Sequence, residues 1–352
     1  MDRLLVLAPN WLGDVVMALP AFDALRRWRP DAHLAVAARA SVAPILTLST
    51  GIDEVITLTG RGDWRDGAGR RADAARLRAG RFDAAVLFPN SFHAAWLARR
   101  AGIPERWGYA RDLRGWLLTR AIPRRRGITQ AAYYLDLVTA LGAPSVPLTA
   151  ALTIPEALAT ATETALRQAG WHGEPIVAFA PGAAFGPAKR WPPSRVGLVA
   201  AQLRAAAVTP VFVGTAADRD AIDEAVAAFR AESHGGAPVI DLGGRTDLPT
   251  LAAVLARCQA VLSNDSGAMH VAAAVGVPVA AIFGPTDERA TAPLPHPSGR
   301  AVALLTGHAE CRPCHLRECP IDHRCMTSIS VSQVVLRMQS LMDAPRHEGG
   351  HT

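Results

Sequence analysis

Short apolar runs, separated by polar and glycine-bearing turns, set the rhythm of the chain. In the first half they predict strands at 3–8, 33–38, 54–58 and 83–88, with helix-spaced apolar residues between several of them. The segment 143–156, "APSVPLTAALTIPE", breaks the alternation with Pro and Ala and reads as a linker. The pattern then restarts. "PIVAFAPG" (175–182) is a strand running into a glycine loop, a helix follows at about 194–206, and "PVFVG" (210–214) is the next strand. Further strands are predicted at 239–242, 260–263, 277–283 and 301–305. Residues 61–81, rich in Arg, Gly and Asp, read as a loop with a short helix, and "APRHEGGHT" (344–352) as a disordered tail. Alternating strands and helices predict parallel sheets. The expected fold is therefore α/β: two Rossmann-like domains, 1–155 and 156–343, facing across a cleft. Strand carboxyl ends and domain interfaces are where such folds bind small ligands.

Composition sharpens this picture. A chain of 352 residues suits two domains, and 50% hydrophobic residues with only 6% aromatics suit small aliphatic side chains packed on parallel strands. The net charge of +6 comes from arginine, which suits phosphate or carboxylate partners. No continuous basic helix or aromatic stacking motif accompanies it, so nothing points to nucleic acid. "RLLVLAP" is too short for a secretion signal, and the best apolar run, "VAAAVGVPVAAIFG" (271–284), is broken by Gly276 and Pro278. The expectation is a soluble, cytoplasmic protein. In a reducing compartment, five cysteines with four bunched near the C-terminus favour a metal or free thiols over disulfides.

The chemistry lies at strand ends. "APNWLGDVVMALPAF" (8–22) puts Gly13 and Asp14 where the first strand gives way to a helix. Asp14 reads either as a helix cap or as a reactive carboxylate in a ligand-facing crevice. "APGAAFGPAKRWPPSR" (180–195) offers Gly182 and Gly186 for close backbone approach, Lys189 and Arg190 for charge, and Pro192 and Pro193 for a helix start. It reads as a diphosphate site or as an ordinary Gly/Pro-rich loop. "LSNDSGAMHVAAAVGVPVAAIFGPTD" (262–287) turns at Asn264, Asp265, Ser266 and Gly267 into a small-residue helix whose first amides suit phosphate. Asp265 suits sugar hydroxyls, and His270 lies one turn further on; the plain alternatives are an Asx cap and a core histidine. "IFGPTD" (282–287) ends the neighbouring strand. The G-x-G-x-x-G fingerprint and the Walker loop are both absent, which argues against a dehydrogenase or an NTPase. A nucleotide diphosphate held by the second domain, opposite Asp14, remains.

The motifs "PNWLGDVVMALP", "LFPNSFHAA", "PGAAFGPAKRWP", "NDSGAMHVAAA" and "GPTD", in this order over residues 3–330, resemble the bacterial lipopolysaccharide heptosyltransferases. The resemblance implies the glycosyltransferase B fold, ADP-L-glycero-D-manno-heptose as donor and a heptosylated Kdo–lipid A core as acceptor. It also implies inversion at the anomeric carbon and no catalytic metal. "PNSF" and "PGAAFGPAKRWP" look most like the members that add the second inner-core heptose. A first-heptose transferase, or another nucleotide-sugar glycosyltransferase of the same fold, is the alternative. By resemblance Asp14 is the general base, Lys189 meets the donor phosphates and Asp265 sits beside the donor sugar. Gly13, Gly182, Ser266, Gly267 and His270 fall on the donor side, and Asp218 is offered for the ribose. Asn90 and Ser91 of "PNSF" are expected at the acceptor. Arg61, Arg111, Arg114 and Arg124 to Arg126 read either as contacts to core or lipid A phosphates or as solvated surface charges. The basic balance suits transient docking on the anionic inner membrane surface, although no amphipathic anchor stands out.

"CRPCHLRECPIDHRCM" (311–326) gathers Cys311, Cys314, Cys319 and Cys325 with His315 and His323. Cys-x-x-Cys is a common metal half-site, but the later spacings are tighter than in a paired zinc ribbon. A structural metal, packed thiols and a disulfide all stay open, and Cys258 reads as a buried helix-end residue. A non-catalytic metal protein and a nucleotide-sugar epimerase are the rivals from other classes. The first predicts that Asp14 is dispensable, the second that no acceptor is needed.

Overall fold

The computed structural model describes residues 1–60, 66–204, 207–233 and 237–343, and the chain divides into two units, Met1–Leu148 and Thr149–Thr352. The first unit holds strands β1 (Arg3–Leu7), β2 (His33–Arg39), β3 (Glu54–Leu58), β4 (Ala84–Leu87), β5 (Glu105–Tyr109) and β6 (Arg120–Ile122). Between them lie α1 (Leu12–Met17), α2 (Leu19–Trp28), α3 (Ala43–Leu46), α4 (Gly67–Ala79), α5 (Phe92–Arg100) and α6 (Gln130–Leu141). The strands are parallel, in the order β3-β2-β1-β4-β5-β6. β1 and β4 are buried almost end to end, as continuous apolar runs must be when helices cover both faces of a sheet.

Two features depart from the pattern read off the sequence. β5 ("ERWGY") and β6 ("RAI") were not expected, because each opens on charged residues. They lie toward one edge of the sheet, where exposed charges are tolerated, and the Arg106 guanidinium is absorbed by the carbonyls of Ile103, Pro104 and Leu117. α4 is also longer than the short helix expected within 61–81. Asp66 caps it through the Gly69 amide, and its buried Asp73 accepts from the amides of Thr59 and Gly60. Arg61 and the tail 344–352 lie outside the described residues.

The second unit opens with α7 (Glu156–Gln168), followed by β7 (Ile176–Ala180), α8 (Pro193–Leu203), β8 (Thr209–Phe212), α9 (Arg219–Glu232) and β9 (Ile240–Asp241). Then come α10 (Leu248–Arg257), β10 (Ala260–Asn264), α11 (Gly267–Ala274), β11 (Val279–Phe283), α12 (Glu288–Thr291), β12 (Val302–Thr306), α13 (Arg324–Thr327) and α14 (Val331–Met342). Its strands are again parallel, in the order β12-β11-β10-β7-β8-β9. α8 and α9 approach backbone to backbone at Gly197, where a Cβ would stand 2.1 Å from the Ala225 carbonyl oxygen. The segment expected as a linker is extended but partly tied down. Ala150 and Leu152 are buried and donate backbone hydrogen bonds to Pro295 and Ala274 of the second unit.

Counted along each unit, both sheets have the same order, with the fourth strand next to the first. That is the doubly wound arrangement in which the chain leaves neighbouring strands in opposite directions and opens a crevice at their carboxyl ends. The crevices fall at β1/β4 and at β7/β10. Four of the five sequence motifs lie on the loops that leave those four strands, and the fifth, "GPTD", leaves the neighbouring β11.

Candidate functional site

In the first unit, β1 delivers Gly13 and Asp14 to the start of α1. The residue at the cap position is Trp11, so the cap reading of Asp14 does not hold. Asp14 lies instead in the first helical turn, where the helix dipole favours a carboxylate. Its Oδ1 accepts from the Tyr134 hydroxyl at 3.2 Å, and the Tyr134 oxygen accepts from Gln130 Nε2 at 2.8 Å. Burial, and then the adjacent Asp14 charge, hold the Tyr134 phenol well above its usual range, so it stays a donor. One residue earlier on α6, the Tyr133 hydroxyl lies 2.7–3.0 Å from the Asn90 amide group, and its ring stacks on Tyr109 at 4.4 Å. All three tyrosines of the chain therefore meet behind the crevice. Sequence reasoning missed them, though their scarcity was a usable signal.

Ser91 caps α5, accepting from the Ala94 amide at 3.3 Å. Arg114, expected at a phosphate or at the surface, is fully buried. It donates to the carbonyls of Pro89, Ser91 and Tyr109 and to Asn90 Oδ1, fixing the loop after β4. Burial brings its guanidinium down to about 10. Arg124 lies over the Tyr133 ring, Arg125 pairs with Asp136 at 3.1 Å and Arg111 with Asp112 at 3.5 Å, while Arg126 is exposed.

In the second unit, loops from three strand ends meet at one buried junction. Lys189 Nζ lies 2.6 Å from Asp265 Oδ2, and the same oxygen accepts from Thr286 Oγ1 at 2.5 Å. The side chains of Lys189 and Asp265 are only 13% and 5% exposed, so each charge depends on the other. Asn264 staples the loops further: it accepts from the Trp191 amide at 3.0 Å and donates to the carbonyls of Pro181 and Gly182 at 2.8 and 3.3 Å. The cap of α11 is Ser266, whose side chain makes no capping bond, so the Asx-cap reading of Asp265 also falls; Gly267 opens the helix. Gly182 presses against Asp218, where a Cβ would stand 2.2 Å from the carboxyl carbon. Asp218 Oδ2 accepts from the Thr215 amide and hydroxyl, and Oδ1 lies 3.7 Å from Arg190. Gly186 has φ 155°, and a Cβ there would meet the Arg317 carbonyl oxygen at 2.5 Å.

His270 is buried one turn into α11, and its Nδ1 has no hydrogen-bond partner among the described residues. Burial is the main cause holding its pKa down at about 4; Asp265 raises it and Lys189 lowers it. The folded protein thus keeps this ring neutral, while the unfolded chain takes up a proton below about pH 6.5. The stabilisation is complete above that pH and is lost as pH falls toward 4. Between pH 7 and pH 5 the native protein should lose about 2 kcal/mol more unfolding free energy than His270→Leu. Denaturant titrations at the two pH values measure this; parallel losses in both proteins would reject the depressed pKa.

The cysteine segment braces this junction. Arg312 donates to the carbonyls of Gly284 and Thr286, and the His315 amide donates to Pro285. Arg317 donates to the Phe185 carbonyl, and His323 Nε2 lies 2.6 Å from that of Ala188. Cys311, Cys314, Cys319 and Cys325 are thiols, and the buried Cys258 thiol donates to the Val254 carbonyl at 3.2 Å, so no disulfide forms. The four line a cavity of about 10 Å³ with His323, too small for a nucleotide. Burial, then the neighbouring thiols, push the Cys325 thiol up. Among the described residues no group of three or more His, Cys, Asp or Glu is placed to hold a metal ion. The structural-metal reading therefore finds no ligand set.

Chemically, the first unit offers a fixed carboxylate with a phenol behind it. The second offers an ammonium, a helix N-terminus and glycine-bearing loops, a combination suited to a phosphate-bearing ligand. Lys189 is the only lysine in the chain, a signal available in the sequence and overlooked there.

Residues 70–324 match the model of glycosyltransferase family 9 (heptosyltransferase). The chain is 34% identical to lipopolysaccharide heptosyltransferase 2 of Escherichia coli, covering 88% of this chain and 90% of that protein. It is 33% identical to the protein of the same name from Salmonella typhimurium, over the same shares of the two chains. The solved structure of E. coli ADP-heptose LPS heptosyltransferase II superposes with a TM-score of 0.80 at 28% identity, covering 97% of this chain and 98% of that one.

Proposed function

Because the chain belongs to glycosyltransferase family 9, the heptosyltransferases, we propose that it moves L-glycero-D-manno-heptose from ADP-heptose onto the heptosylated Kdo–lipid A core, with inversion and with Asp14 as general base. It is a heptosyltransferase of lipopolysaccharide core synthesis, with the glycosyltransferase B fold. The observation that carries the base assignment is the Asp14 carboxylate, held by Tyr134 beyond the carboxyl end of β1.

The chemistry follows from these side chains. An acceptor hydroxyl must lose its proton as it attacks the anomeric carbon, and Asp14 takes it. Tyr134, itself held by Gln130, donates to Oδ1 and steadies the carboxylate. The donor carbon gains oxocarbenium character, as in glycoside hydrolysis, while the ADP leaving group gathers negative charge. Lys189 and the first amides of α11, at Ser266 and Gly267, face that charge. Asp265 spends Oδ2 on Lys189 and Thr286, leaving Oδ1 for a heptose hydroxyl. Asp218 is assigned to the ribose through its Oδ1, with Gly182 keeping the approach open. Gly13 and the neutral His270 complete the donor side. Asn90 and Ser91 are assigned to the acceptor, as is Arg61. No step calls on a metal.

The test is transfer from ADP-heptose to core acceptors bearing no, one or two heptoses. Product from the one-heptose acceptor alone is expected. Transfer to the heptose-free acceptor would assign the chain to the first addition. A different nucleotide retained by the purified protein would replace the donor.

A further inference from the structure

The segments leaving β4 and β5 carry apolar side chains that the fold leaves in water. Leu113 is 91% exposed, Trp116 68% and Phe92 45%. Phe92 and Trp116 lie ring to ring at 6.1 Å, and buried Arg114 ties the Leu113 loop to the Phe92 loop through the carbonyls of Pro89 and Ser91. Leu113 and its neighbour Asp112 both adopt left-handed backbone, φ 55° and 50°, which non-glycine residues rarely do. The fold thus holds a leucine outward in an unfavourable conformation, beside a large exposed tryptophan.

Positive charge surrounds this patch. The Arg99 guanidinium lies 5.4 Å over the Trp116 ring, and Arg124 lies over Tyr133 on the Asn90 side. The nearby acids are already matched: Asp112 by Arg111 and Asp136 by Arg125. Arg99 and Arg124 are left to give the face a positive balance. Aromatic and aliphatic tips ringed by arginine match a bilayer interface with anionic headgroups, where the rings enter the headgroup level and the guanidinium groups meet phosphates.

We infer that Leu113, Trp116 and Phe92, flanked by Arg99 and Arg124, form the surface by which this enzyme docks on an anionic lipid bilayer. The inference rests on the acceptor reading only in that a lipid-borne acceptor gives docking its purpose. The surface belongs to the same unit as Asp14 and Asn90, so docking brings the crevice of that unit to the membrane. No helix among the described residues is long and apolar enough to cross a membrane.

The experiment is co-sedimentation of the full chain with phosphatidylcholine vesicles, with and without phosphatidylglycerol. Binding is expected only when phosphatidylglycerol is present, and it should weaken as salt rises. Trp116→Ser together with Leu113→Ser should weaken it about tenfold or more. Leu113→Ser alone, at a side chain almost wholly in water, keeps the test valid if the double variant misfolds, and should weaken binding severalfold. Neither variant should change transfer to a soluble, delipidated core acceptor. Native protein that ignores anionic vesicles, or variants that bind like native, would overturn the inference. So would a native dimer that these substitutions dissociate without affecting vesicle binding, because the patch would then cover a second copy. Asp14→Asn should bind vesicles as native does, so failure of the base assignment and failure of the docking surface give different results.

Discussion

Asp14→Asn is expected to lower the turnover of heptose transfer by about 10²–10⁴-fold, the usual contribution of a positioned general base. The substitution keeps size and shape, and its amide oxygen still accepts from Tyr134, so the α1–α6 contact survives. What disappears is the capacity to take a proton. ADP affinity should not change, because the groups assigned to the nucleotide are carried by the second unit. Single-turnover transfer, with calorimetric ADP titration of the same variant, checks both halves. Turnover within a few-fold of native, with ADP still bound, would return Asp14 to a structural role and send the search for the base elsewhere.

Lys189→Met is expected to fail twice. Removing the ammonium leaves Asp265 buried without its counter-charge, which costs about 3–5 kcal/mol of stability. It also removes the cation assigned to the diphosphate, lowering kcat/KM for ADP-heptose by about 10²–10³-fold. The two effects separate in the double variant with Asp265→Asn. There the buried charge is gone from both sides, so stability should largely return while transfer does not. Lys189→Arg should not restore full activity either, because a planar fork cannot take the place of a compact ammonium beside Thr286 and Asp265. Denaturant unfolding and donor kinetics on the three variants are the measurements. A stable, fully active Lys189→Met would show that the junction is neither a buried ion pair nor a phosphate contact.

The docking surface connects these chemical expectations to the lipid. Its residues come from loops that leave β4 and β5, and β5 is one of the strands not anticipated from the sequence. An anchor of this kind has no amphipathic helical period. It is assembled from Phe92 at a helix start and from Leu113 and Trp116 in a turn, so periodicity could not reveal it.

What the sequence determined by itself was local in its physics. Apolar runs of strand length, the glycines that follow them and the polar residues just beyond were enough to predict two α/β halves. They also placed Asp14, Asn90, Gly182 and Asp265 at strand ends. Those features depend on neighbours along the chain, on hydrogen bonding within a turn and on burial of short runs. β5 and β6 escaped because each opens on charged residues and is defined as a strand by its pairing with a neighbour rather than by an apolar run of its own. The long-range pairings were decided only by tertiary structure. Tyr134 meets Asp14 across 120 positions, Lys189 meets Asp265, and Arg114 is drawn inside to hold a loop through its carbonyls. The reason is energetic: a buried polar or charged group must find a partner wherever the folded backbone provides one, and no pattern in a single stretch of sequence says where that will be.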